Sequence, residues 1–209
     1  MYNPLKYLWR HFLAILYDRI TSRMEIEKKI NKKEKRLEIL RSFKHIGHST
    51  NIIYDDYSIT GAKYISIGDD FLILHHFRLE AIDSYSNQHF NPQIIIGNNF
   101  SAQDFCHIGC IEKIEIGDNV MIASKVFITD HFHGKINKED INIAPTNRIL
   151  TSKPIKIGNN VWIGDSVCIM PGVTLGNNII VGANAVVTHN FPDNTVIAGC
   201  PAKIIKHLE

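Results

Sequence analysis

The stretch that decides the fold is Ile157-Gly158-Asn159-Asn160-Val161-Trp162, followed by IGDSVC, IMPGVT, LGNNII and VGANAV, which together run from residue 157 to residue 186. Aliphatic residues recur every six positions: Ile157, Ile163, Ile169, Leu175, Val181 and Val187. A second register follows four residues behind, at Val161, Val167, Val173, Ile179 and Ala185. A helix would smear this spacing around its surface. A simple strand would need an apolar residue at every second position. A fixed period of six, with Gly, Asn or Asp just after the aliphatic residue, describes a short strand and a turn repeated many times. That is the mark of a parallel β-helix. Gly and Asn suit its corners because they tolerate left-handed backbone.

Working outward, the same phase returns at Ile116, Ile122 and Ile128, with Val120 and Val126 in the second register. Fainter copies stand at Ile67 and Ile73 and at Ile96, Ala102 and Ile108. Between Ile128 and Ile155 the repeat stops, and TDHFHGKINKEDINIAPTNRILTSKP is polar and irregular. An insertion of that length in a compact repeat, spanning about residues 129–155, is where binding or chemistry is expected. Two histidines, His131 and His133, stand where the regular coil first breaks.

Residues 1–45 read differently, as a helical arm ahead of a repeat domain at 46–209. Residues 5–20 predict one helix, rich in apolar and aromatic side chains. Residues 24–43 predict a second, heavily charged helix with a thin apolar seam. Residues 1–44 hold 12 Lys/Arg against 5 Asp/Glu, so this arm carries +7 while the whole chain carries +2. Such an arm can touch an anionic membrane surface or simply present a solvated face. The apolar run Phe12–Tyr17 is too short to span a bilayer. No basic patch with interleaved aromatics runs through the body, which argues against nucleic acid. The four cysteines (Cys106, Cys110, Cys168 and Cys200) form no CxxC pair, so neither a zinc framework nor a redox motif is signalled. Cys168 reads as a buried apolar filler. Reduced thiols and the lack of a recognisable leader predict a cytoplasmic protein.

The segments IGDNVMIASKVFITDHFHG and PIKIGNNVWIGDSVCIMPGVTLGNNIIVGANAVVTHNFPDNTVIAGCPAKII resemble the hexapeptide-repeat acyltransferases, in the branch of the galactoside and maltose acetyltransferases and many polysaccharide O-acetyltransferases. The resemblance covers residues 94–206 strongly, fades before them and does not reach the arm. It implies a left-handed coil, a homotrimer with active sites between neighbouring subunits, acetyl-CoA as donor and a hydroxylated sugar as acceptor. N-acetylation of an amino sugar and a non-catalytic scaffold are the alternatives. A metalloenzyme of the gamma carbonic anhydrase kind needs three imidazoles around zinc and pairs two of them as His-x₄-His. No such pair occurs in residues 94–206, so no metal is expected.

Acetyl transfer to a hydroxyl needs a base, and a neutral imidazole is suited to that task at neutral pH. Ungapped alignment from Ile122 puts the family's base on His133, with His131 the alternative. Asp130 can orient an imidazole, although adjacent residues need not face each other. Trp162 follows an inward Val161 and should point outward, near the acceptor or into a subunit interface. For the coenzyme, the resemblance implies contacts at Ala183 and Thr188, and phosphate contacts at Lys203 and Lys206. His189 stands where relatives often carry Lys. The acceptor-binding Asn and Asp of the sugar acetyltransferases are replaced here by Gln103 and Ile111. That leaves Gln103, Asp104 and His107 as the polar candidates of that coil.

Overall fold

A computed structural model of the chain describes residues 4–52, 54, 56–135 and 137–208, and side chains only from residue 12 onward. The chain divides into two compact units, Met1–Arg41 and Ser42–Glu209.

The first unit is helical. Where the sequence predicts two helices, the structure has one, Pro4–Ser42. Nothing at Thr21-Ser22 forces a break. Neither residue is Gly or Pro, and the Thr21 hydroxyl donates back to the carbonyls of Tyr17 and Asp18 at 3.0 Å each, so it is satisfied inside the helix. Arg23 and Glu27 pair one turn apart across the would-be junction. Among the described residues no helix is long and apolar enough to cross a membrane.

The second unit is a left-handed parallel β-helix of three sheets. The first sheet stacks His45–Ile46, Ile65–Ile67, Gln93–Ile96, Lys113–Ile116, Ile155–Ile157 and Thr174–Leu175. The second runs from Asn51–Ile52 to Thr195–Gly199 and ends on an antiparallel strand, Ala202–His207. The third stacks Ser58–Thr60, Arg78–Ala81, His107–Cys110, Phe127–Thr129, Cys168–Ile169 and Val186–Val187. Register places like on like: Ile67, Ile96, Ile116, Ile157 and Leu175 form one column, all buried. Each such side chain contributes roughly 1.5–3 kcal/mol on full burial.

The faint early repeats have a physical cause. Their second-register positions are filled by Phe71, Phe77, Phe100 and Cys106 in place of valine, all buried, with Phe71 and Phe100 stacked at 5.4 Å. The apolar filler among the cysteines is therefore Cys106, while Cys168 is only half-buried on the third sheet. Cys106 bonds the Ala123 carbonyl, and burial pushes its thiol up to about 11.

One corner is held by a side-chain ladder. Asn99, Asn119, Asn160, Asn178 and Asn194 all adopt left-handed backbone, with φ between 54° and 59°. Each of the first four donates its amide to the next, at 2.7–3.1 Å. Asparagine is the side-chain-bearing residue best suited to that conformation, which explains its recurrence in the repeat.

Eighteen residues separate Ile157 from Leu175, one full coil. Forty-one separate Ile116 from Ile157, because the chain leaves the stack at Asp130 and rejoins it at Lys153, where the Lys153 amide donates to the Asp130 carbonyl at 2.9 Å. This excursion opens as a ribbon, His131–His133 antiparallel to Leu150–Ser152. A second, smaller excursion accounts for the 29 residues from Ile67 to Ile96. It is a hairpin of Ser84–Tyr85 and Gln88–His89 that the period of six does not reveal.

Candidate active site

The site is built on the outer face of the third sheet. Along its strands Leu79, Ile108 and Ile128 point into the core, so Arg78, Glu80, His107, Gly109, Phe127 and Thr129 face outward. Register puts Glu80, Gly109 and Thr129 in one column. The excursion begins immediately beyond Thr129.

Asp130 is fully buried where the coil breaks. Its carboxylate accepts the backbone amides of Ile111, Glu112 and Lys113 at 2.8–2.9 Å and the Cys110 thiol at 3.2 Å. It also meets Nδ1 of His131 at 3.0 Å. Burial by itself would raise this carboxyl. The hydrogen bonds from His131, from the amides of Ile111 and Glu112 and from Cys110 outweigh burial and hold it below the usual carboxylate range. The adjacent residues do face each other. The turn at 110–113 gathers amide donors that need an acceptor, and Asp130 supplies it with enough capacity left for the imidazole. Burial beside the carboxylate pushes the Cys110 thiol up, so this cysteine is a protonated donor.

An ionised carboxylate only accepts, so the His131 proton sits on Nδ1 and the lone pair on Nε2 is left for other work. Thr129 Oγ1 lies 3.1 Å from the same Nδ1 and fixes the ring further. The His131 side chain is only 14% exposed.

Across Gly109 stands a second imidazole. His107 Nε2 lies 3.0 Å from Glu80, which pairs with Arg78 at 2.8 Å. Burial is the main cause that lowers the His107 pKa, so this ring is neutral near pH 7. A β-carbon at Gly109 would sit 3.4 Å from His107 Nε2 and 3.5 Å from His131 Cε1. The glycine thus leaves a methyl-sized gap bounded by both rings.

His133, two residues along the ribbon, is exposed and meets Tyr85 edge to face at 5.3 Å. The small hairpin holds the ribbon in place. Gln88 exchanges two hydrogen bonds with the backbone of Leu150, at 2.7 and 3.2 Å, and the Tyr85 hydroxyl donates to the Thr146 carbonyl at 3.0 Å. Tyr85, Gln88, Glu80 and Arg78 escape a reading by hexapeptide phase because they lie where that phase is weakest. The spare polar residues at 82–92 are the signal that could have found the hairpin.

The remaining candidates divide. Asp104 caps a corner by accepting the His75 amide at 2.9 Å, which is a structural use of its carboxylate. Gln103 is half-buried at the same corner, and its backbone N–H donates to the Ile122 carbonyl. Ile111 is buried and touches the site only through its amide. Trp162 points outward on the second sheet between Met121 and Ile180, 48% exposed. Thr188 follows Val187, two coils along from Thr129 in the same column, and is exposed with its hydroxyl 2.8 Å from His189. Ala183 is exposed at the neighbouring corner. Lys203 and Lys206 lie on the closing strand opposite Ala198 and Val196. Among the described residues no three His, Cys, Asp or Glu side chains form a metal-holding group.

Comparison with known proteins agrees with this architecture. Residues 154–189 match the family described as bacterial transferase hexapeptide (six repeats). WbbJ of Escherichia coli K12, which carries the name of a lipopolysaccharide biosynthesis O-acetyl transferase, is 49% identical over 117 residues, covering 54% of this chain and 60% of that protein. The chain thus spans about three fifths of that relative's length. A crystal structure of a maltose O-acetyltransferase from Clostridium difficile 630 is 33% identical, covers 84% of this chain and 76% of its own, and superposes with a TM-score of 0.55. A galactoside acetyltransferase in complex with coenzyme A is 28% identical, covers 85% and 71%, and gives 0.54.

Proposed function

The chain belongs to the hexapeptide-repeat transferases, and from that premise we propose that it moves an acetyl group from acetyl-CoA to a sugar hydroxyl, with His131 as general base. The observation that carries this reading is the Asp130–His131 pair, a buried carboxylate that engages one ring nitrogen and leaves the other to take a proton. Alignment alone favours His133, but His133 is exposed and its ring rests on Tyr85. The geometry therefore weighs toward His131.

In this reaction the acceptor hydroxyl gives its proton to Nε2 of His131 as its oxygen attacks the thioester carbonyl. The tetrahedral oxyanion collapses, the carbon–sulfur bond breaks, and the departing thiolate takes the proton back from the imidazolium. Asp130 stabilises the transient imidazolium without being protonated itself. The neutral His107, braced by Glu80, lies across the gap at Gly109, where it can contact the acceptor. Trp162 and Gln103 are further acceptor contacts in this proposal. Ala183 and Thr188 would line the pantetheine arm, and Lys203 and Lys206 would meet the coenzyme's phosphates as point charges. The working form would be a homotrimer with sites between subunits, and the product an ester on a glycan or glycan precursor, made in the cytoplasm. The basic arm is proposed to rest on the membrane surface.

The test is release of free thiol from acetyl-CoA against a panel of glycosides. His131→Ala should lower turnover by about 10² to 10⁴, the usual worth of a positioned base, while His133→Ala should retain most of it. The reverse order would return the base to His133.

A further inference from the structure

The ribbon that carries the histidines also walls a cleft to which the steps above assign no role. The cleft measures about 570 Å³ and is lined by Phe132, His133, Lys135, Ile141, Arg148 and Lys153, among others. Three permanent cations thus face one space. Among the described residues none of Lys135, Arg148 and Lys153 forms an ion pair. The carboxylate nearby, Asp140, accepts the backbone amide of Lys135 and serves the loop's own turn. Arg148 commits Nε to the Ile143 carbonyl at 2.9 Å, which aims the guanidinium and leaves its two terminal nitrogens as donors. No carboxylate is among the described residues that line the cleft, so its lining is net positive and a bound anion would offset the repulsion among the three cations. Phe132 and Ile141, both exposed, add apolar surface of the kind that covers the C–H face of a pyranose ring.

We infer that this cleft seats an acidic group, carboxylate or phosphate, carried by the acceptor, so that the natural acceptor is an anionic sugar rather than a neutral one. The inference rests on the transferase reading above and names its substrate class. The cleft shares His133 with the strand that carries His131, so an acidic group held there would lie beside the hydroxyl presented to the base.

Calorimetric titration of the full-length protein with three probes tests it: p-nitrophenyl β-D-glucuronide, the corresponding neutral glucoside, and galactose 1-phosphate. The glucuronide, the sugar phosphate or both should bind at least tenfold more tightly than the glucoside, and that advantage should shrink as sodium chloride is raised. Preference for the glucuronide would identify a carboxylate ligand, and preference for the sugar phosphate a phosphate ligand. Combining Lys135→Gln with Lys153→Gln should weaken the preferred acidic probe by about tenfold, the scale of two exposed charge pairs. Both side chains are exposed, so the melting temperature should hold. Equal affinity for acidic and neutral probes, or a double variant that loses coenzyme A and keeps its acidic probe, would overturn the inference. In that case thiol release with the glucoside would still uphold acetyl transfer. Glucuronide binding with no thiol release from acetyl-CoA would instead remove the transferase reading and leave an anion site.

Discussion

At the scale of the residue, Asp130 does two jobs that one substitution should separate from each other. It completes the amide turn at 111–113 and it orients His131. Asp130→Asn keeps the shape but turns an NH₂ group toward backbone donors. Each buried donor left without its acceptor costs about 1–3 kcal/mol, so chemical unfolding should show a loss of that order, with turnover falling as well. The pH dependence follows from the sign of the shift. A carboxyl held below its ordinary value contributes stability that is complete above that value and is lost as pH falls through the folded one. The gap between wild type and Asp130→Asn should therefore narrow below about pH 4, where the wild-type carboxyl takes up its proton. A gap that narrowed near pH 6 would contradict the assignment. Gly109→Ala probes the same site from the other side. Its methyl would lie at ordinary van der Waals distance from both imidazoles, so the fold should tolerate it. Turnover should drop because the methyl occupies the gap between the rings, and an unchanged melting curve beside unchanged kcat would show that the gap is idle. In the sequence, the two histidines and Asp130 are legible as a cluster at the break in the repeat. Their ranking is not, because neither alignment nor spacing records that the 110–113 turn aims its amides at Asp130.

At the scale of the element, the coil was legible because its core uses one residue type at one phase. It became hard to read where Phe and Cys take the place of Val. The helical arm was legible as helix, but its continuity was not, since the fall in hydrophobicity near residue 21 resembles a boundary and the bonds that carry the helix through it are local and polar. The small hairpin at 84–89 was not legible from periodicity, because two short strands of two residues carry no period, and only the spare polar residues at 82–92 hint at it. Yet this hairpin positions the ribbon. Gln88→Ala removes both hydrogen bonds to Leu150 and leaves the coils intact. Global unfolding should barely change, because those bonds lie outside the stacked core. Hydrogen exchange should accelerate at Leu150, whose amide loses its acceptor, and limited proteolysis should begin to cut within residues 134–149. The effect on catalysis should appear in the same variant as a loss of kcat with little change in the melting temperature. Protection at Leu150 that survived the substitution would mean that the ribbon holds its place unaided.

At the scale of the whole molecule, charge is divided between the arm, residues 1–44, and the rest of the chain. The arm is strongly basic and the remainder is mildly acidic, with 11 Lys/Arg against 16 Asp/Glu beyond residue 44. At 100° per residue, Phe12, Leu16, Ile20, Leu13 and Tyr17 fall on one arc of about 140°, with no charged residue of that segment between them. All five are exposed on the helix. An apolar arc bordered by basic residues is the pattern of a helix that lies in a membrane interface, where each Lys or Arg near an anionic surface adds about 1 kcal/mol. The full chain should therefore sediment with anionic vesicles and remain in solution with zwitterionic ones, and salt should release it. A chain lacking residues 1–41 should lose sedimentation and keep thiol release, since the cut falls at the boundary between the two units and removes none of the coil residues around His131. Phe12→Ser combined with Leu16→Ser should reproduce the loss if the apolar arc matters as much as the charge. Undiminished sedimentation of the truncated chain would assign the attraction to the acidic body's own basic surface. In that case the arm would have to earn its apolar face against other copies of itself, and the same truncation would then lower the oligomeric mass measured by light scattering.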